Sequence, residues 1–84
     1  METYYIRPAW DCDGNEAFIV IQKTYKPELL GESWDAWISY APMGSKVLLG
    51  QLAGTLETVK KTASRKAREH LFTPRGVWRE VTEE

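Results

Sequence analysis

The apolar residues of this chain change their spacing once, at Gly54-Thr55. Ahead of that point they come in short aromatic and β-branched runs that read as strands. Behind it they recur at three- and four-residue steps, the mark of an amphipathic helix. A chain patterned this way is expected to be α+β, one helix lying on an antiparallel sheet. Its 84 residues make one domain, 1–84, with little room for a second core.

The strands can be placed in turn. TYYIRPAW, residues 3–10, is the first, and Pro8 lacks an amide donor, so an edge position is expected for it. Asp13-Gly14 then signals a hairpin. EAFIVIQK, 16–23, carries Ala17, Ile19 and Ile21 on one face and Phe18 and Val20 on the other. A strand apolar on both faces is usually central. TYKPELLGES, 24–33, reads as a loop, and APMGS, 41–45, as a turn. Between them WDAWISY, 34–40, is the third strand, and KVLLGQL, 46–52, is the fourth. The helix runs from 56 to about 72, with Thr55 as N-cap and Glu57 in its first turn. Its apolar stripe is Leu56, Val59, Ala63, Ala67, His70 and Leu71, and Lys60, Lys61, Ser64, Arg65 and Arg68 lie off it. Pro74 and Gly76 stop it. VWREV, 77–81, is a short fifth strand or an arm, followed by an acidic frayed end. The expected order is thus ββββα: a four-stranded antiparallel sheet with a C-terminal amphipathic helix.

One helix covers one face of such a sheet. WDAWISY puts Trp34, Ala36, Ile38 and Tyr40 on one side and Asp35, Trp37 and Ser39 on the other. The first set is the helix-covered core. The second leaves Trp37 with Phe18, Val20 and either Tyr4/Ile6 or Tyr5/Arg7 on a face the helix does not reach. A patch of that kind is apolar enough to need a cover: the tail through Trp78, a second copy, or a partner.

Charge and cysteine narrow the classes. Residues 1–35 hold seven acids against three cations, and residues 56–75 hold six cations against two acids, so a net charge of −1 hides a polarised chain. The single Cys12 cannot form an intramolecular disulfide, which suits a reducing, cytoplasmic setting. METYYIRPAW lacks a basic start followed by an apolar run, so no signal peptide is expected, and no apolar run approaches a membrane span. DCDGNE looks like a calcium loop, but its glycine precedes Asn15 instead of following a third ligand. Cys12 and His70 are too few for a zinc site, so neither a metal nor another cofactor is expected. His70 has no identifiable titratable partner, and no serine sits in a nucleophile context, so catalysis is not expected.

From 33 to about 76, four features occur together. They are a tryptophan strand through Trp37-Ile38, a glycine turn, a strand closing in Leu49-Gly50, and Thr55-x-Glu57 opening an alanine-bearing helix. This half of the chain resembles the Apetala/ethylene-response-factor type DNA-binding domain and is similar to phage-integrase arm-binding domains. The resemblance implies a sheet-plus-helix fold and DNA reading by arginines and tryptophans of the sheet. The matching strands here offer Trp34, Trp37 and Lys46 but no arginine, and an extra residue separates Leu49-Gly50 from the cap.

Two functions follow as expectations. The first is a small non-catalytic regulatory protein, of the inhibitor kind common among small phage and bacterial proteins. It would bind a protein partner, or a second copy as a homodimer, through Trp37, Phe18, Val20 and Trp78. The second is a DNA-binding domain with sheet aromatics on the duplex and Lys60, Lys61, Arg65, Arg68 and Arg75 on phosphates, an association that salt would weaken. The acidic first half and the missing sheet arginines put protein binding ahead.

Overall fold

Alternating side chains and a central strand apolar on both faces build the sheet, and the structure, a computed structural model, describes residues 2–24, 32–40 and 45–83 of it. The order is β1 (Glu2–Trp10), β2 (Glu16–Thr24), β3 (Ser33–Tyr40), β4 (Lys46–Ala53), α1 (Leu56–Glu69), β5 (Thr73–Pro74) and β6 (Arg79–Glu83). All pairings are antiparallel, in the spatial order β4-β3-β2-β1, with β5 and β6 both on the outer side of β1. The fold is α+β as the periodicity predicts, and of the two alternatives for the segment after the helix the strand is the one observed. The segment expected at 77–81 is a strand at Arg79–Glu83 that pairs with its own sheet and reaches into the acidic end, and a further two-residue strand, β5, precedes it. The loop expected at 24–33 and the turn at 41–45 lie largely outside the described residues.

The expectation that Pro8 marks an edge is also corrected. β1 is flanked on both sides. Pro8 is tolerated because its carbonyl accepts the Arg75 amide (2.8 Å) on the β5/β6 side. The N and C=O of one strand residue face the same neighbour, so the missing donor falls where β5 has ended and β6 has not begun. Among the described residues β4 forms one edge of the sheet, and β5 and β6 together form the other.

The core lies between sheet and helix. Ile19 and Ile21 of β2, Ile38 and Ala36 of β3, and Leu49 and Leu52 of β4 meet Val59, Ala63 and Ala67 of α1. Two alanines on the buried stripe let the helix backbone sit close to the sheet. Trp34 closes one end, its indole N–H donating to the Gly54 carbonyl (3.0 Å), with Tyr5 edge-on at 6.1 Å. At the other end Phe72 packs against Tyr40 at 5.6 Å between ring centres.

β4 supplies three core contacts from positions that strict alternation would split. Ala36 pairs with Gly50 but Trp37 pairs with Leu48, so Leu49 is an inserted residue of a β-bulge. Gly50, at φ +99°, takes the backbone conformation the bulge needs. The result turns Val47, Leu49 and Leu52 inward and leaves Leu48 76% exposed.

The helix opens as expected, with the Thr55 hydroxyl accepting the Thr58 amide and Glu57 in the first turn. It closes differently. His70 is the C-cap, the Leu71 amide donates to Arg68 and the Phe72 amide to Ala67, a Schellman motif. Leu71 occupies the left-handed position at φ +67° and is 71% exposed. His70 and Leu71 therefore leave the stripe to which periodicity assigned them, and Phe72 takes the buried position. Ser64, placed off the stripe by its polarity, is buried.

The β1–β2 turn is organised by Asp11. Its carboxylate accepts the amides of Asp13 (2.9 Å) and Asn15 (2.7 Å), the Asn15 side-chain amide (3.0 Å) and the Tyr40 hydroxyl (3.2 Å). Gly14, at φ +82°, completes the turn, as Asp13-Gly14 signals. The Asn15 side chain first, then the Asn15 and Asp13 amides, hold the Asp11 carboxyl below its ordinary value. Burial, and then the bond to Asp11, raise the Tyr40 phenol.

Two outcomes are expected. Leu71→Gly removes the cost of a left-handed β-carbon without losing buried surface, and should raise stability by about 1 kcal/mol in urea unfolding. For Asp11, the unfolded chain binds its proton more readily than the folded chain does, so its ionised contribution is full above the ordinary pKa of 3.8 and is lost as pH falls through the lower folded value. The stability difference between natural protein and Asp11→Asn should therefore be flat near neutrality and shrink below that value, as read from urea midpoints against pH.

Candidate functional site

Residues paired across an antiparallel ladder share a face, so the strand register assigns every side chain to a side. Three rows cross the helix-free face. Val81, Tyr4, Gln22, Asp35 and Gln51 form one, and Arg79, Ile6, Val20, Trp37 and Leu48 the next. Pro8, Phe18, Ser39 and Lys46 form the third. The choice left open for β1 is settled: Tyr4 and Ile6 face this way, and Tyr5, Arg7 and Ala9 face the helix.

The middle row carries the character of the face. Val20 is buried although no helix covers it, because Ile6, Trp37 and Tyr4 surround it. Tyr4 meets Trp37 edge-to-face at 6.3 Å, across the intervening β2. The Lys46 ammonium lies 5.1 Å from the Trp37 ring centre, an attractive cation–π contact. The sheet curls around these residues into an open cavity of about 370 Å³, to which β1, β2, β3, β4 and β6 all contribute. Beside it, on the β4 edge, a second hollow of about 330 Å³ runs past Trp37 to Leu48 and the Gly50 bulge.

Of the residues expected on this surface, Trp37, Phe18 and Val20 are there, with Val20 as its buried floor. Trp78 is not. It packs on the edge of the core on the helix side and lines a different hollow. The β-bulge hides Leu48 from a period-two reading, and only the isolated glycine within the strand hinted at it.

A third hollow, on the helix side and of about 340 Å³, lies among Arg7 of β1, Glu57, Lys60, Lys61, Ser64 and Arg68 of α1, and Trp78. Arg7 is fixed there by two bonds, from Nε to the Gly76 carbonyl (3.2 Å) and from Nη1 to the Ser64 hydroxyl (3.0 Å). Lys60 lies 3.6 Å from Glu57 and 5.6 Å from the centre of the Tyr5 ring. Of the cations expected to act together, Lys60, Lys61 and Arg68 do converge. Arg65 instead lies 3.9 Å from Glu69, and Arg75 stacks over Trp10 at 5.3 Å in another hollow. Arg7, from the acidic half of the chain, joins the basic group through the fold. The basic hollow and Trp37 stand on opposite sides of the sheet, so the two halves of the expected DNA surface do not form one face.

Comparison with protein-family models, curated proteins and solved structures finds no match to this chain. Its function therefore rests on its own geometry. Among the described residues no helix is long and apolar enough to cross a membrane, and Cys12 is free and exposed.

The bond between Arg7 and Ser64 can be tested directly. Arg7→Met leaves the buried Ser64 hydroxyl without its donor and should cost about 1–3 kcal/mol in chemical denaturation. Adding Ser64→Ala should recover part of that loss, because the orphaned hydroxyl goes with it.

Proposed function

We propose that this chain is a small, non-catalytic regulatory protein that works by protein–protein contact through the helix-free sheet face. The observation that carries the reading is the row Ile6, Val20, Trp37 and Leu48, an apolar band across four strands that ends on an exposed leucine at an open edge. Large aromatic side chains at the centre of a patch with a charged rim are what anchors protein interfaces.

A second copy of the chain is the occupant the face favours. Lys46 starts β4 at one margin of the face and Glu83 ends β6 at the other, and both reach the same cavity. A two-fold axis between two such faces sets each lysine against the other copy's glutamate, so the surface complements itself in charge as well as in apolar character. Homodimerisation would also cover the unpaired β4 edge or its neighbourhood, where Lys46 and the bulge already discourage indefinite strand addition. The free thiol of Cys12 suits a reducing cytoplasm for this protein.

Static light scattering on the natural protein should give the mass of two chains. Leu48→Ser changes a side chain that is largely exposed in the monomer, and Trp37→Ala removes the central anchor. Each should keep the circular-dichroism spectrum, and Trp37→Ala should weaken association at least about thirtyfold. A one-chain mass at high concentration would remove the dimer, and loss of fold in Trp37→Ala would make that residue core.

A further inference from the structure

We propose that the hollow between β1, α1 and Trp78 is a nucleotide site, its cations holding the phosphate and Trp78 forming a wall for the base. This site is separate from the sheet face argued above and stands or falls independently of it. Three observations converge on it.

The first is an arginine already set in place. Two of the five N–H donors of Arg7 are spent on Gly76 and on the buried Ser64, which fixes the guanidinium at the floor of the hollow. The other donors have no partner among the described residues, and no described carboxylate pairs with Arg7. An arginine held this way needs little further ordering to grip a phosphate oxygen pair.

The second is the helix stripe above it. Glu57, Lys60 or Lys61, Ser64 and Arg68 follow each other at three- and four-residue steps, so they share one side of α1. Glu57 reaches Lys60, whereas Lys61 and Arg68 have no carboxylate within ion-pair distance among the described residues. Four cations meet one acid around a single hollow, on a chain whose net charge is −1. That excess of positive charge favours a dianionic group over a neutral one.

The third is the wall. Trp78 is only partly buried and lines the hollow beside the cations. An aromatic face next to a phosphate-sized cluster of donors is the pairing that takes a base and its phosphate together. The same chemistry occurs in a free mononucleotide and at the end of a single strand, and the experiment separates them.

Proton–nitrogen NMR titration of the full chain follows the Trp78 indole N–H, assigned by its loss in Trp78→Phe, and the Arg7 Nε–H. Adenosine monophosphate should shift both saturably, and should bind at least about tenfold more tightly than inorganic phosphate, because only the nucleotide uses the wall. Lys61→Ala combined with Arg68→Ala, both exposed changes, should weaken binding at least about tenfold, and Glu57→Gln should tighten it by about two- to fivefold. Raising salt should weaken it. A short oligothymidylate that binds more tightly than thymidine monophosphate, through the same signals, would assign the site to a strand, and equal affinity would assign it to a free nucleotide. Absence of a saturable shift up to several millimolar adenosine monophosphate, an unchanged affinity in the double variant, or inorganic phosphate binding as well as the nucleotide would each overturn the proposal.

Discussion

The packing of Ile19 and Ile21 of β2 against Val59, Ala63 and Ala67 of α1 is the contact on which everything else rests. These residues are wholly shielded from water, and at this chain length little other apolar surface is available for a core. The alanines of the helix matter as much as the isoleucines of the strand. They bring α1 close enough that Trp34 and Phe72 finish the two ends of the layer, instead of filling its middle. With the helix seated there, no second layer covers the opposite face of β2 among the described residues. Val20 is buried by its neighbours on the sheet alone.

Two surfaces follow from that one-sided arrangement, and they differ in kind. The helix-free face is apolar and aromatic because β2 is apolar on both sides and only one side found a helix. The helix side is electrostatic, because the amphipathic α1 must turn its cations outward, and Arg7 adds a guanidinium from beneath. The sheet keeps the two apart. A ligand recognised by charge and a partner recognised by aromatic contact can therefore occupy the same small molecule without competing. The β4 bulge sharpens the contrast: it draws Leu49 and Leu52 into the core and delivers Leu48 to the outer face.

Much of this was legible in the residues. The apolar pattern of 16–23 announces a central strand, the alternation in WDAWISY sorts Trp34 from Trp37, and Thr55 with Glu57 marks the helix start. The aromatic face was equally readable, since it is what remains once one helix has been placed. Other features were not. His70 and Leu71 keep the helical spacing yet lie outside the helix, because a left-handed leucine ends it and periodicity carries no information on φ. Trp78 reads as a cover for the open face, but the chain after Gly76 rejoins β1 from the helix side before β6 begins.

By itself the sequence determined the class of fold, the central place of β2, the inward set of β3, and the existence of an aromatic face and a basic helix. Each is a matter of local periodicity or of residue type, which neighbours along the chain suffice to express. The tertiary structure alone decided that β1 is enclosed by its own tail, that Arg7 joins the helix cations, that Arg65 and Arg75 do not, and that Trp78 stands with them instead of with Trp37. Those placements depend on strand register and on pairings between residues dozens of positions apart. No short window of the chain contains both partners of such a contact.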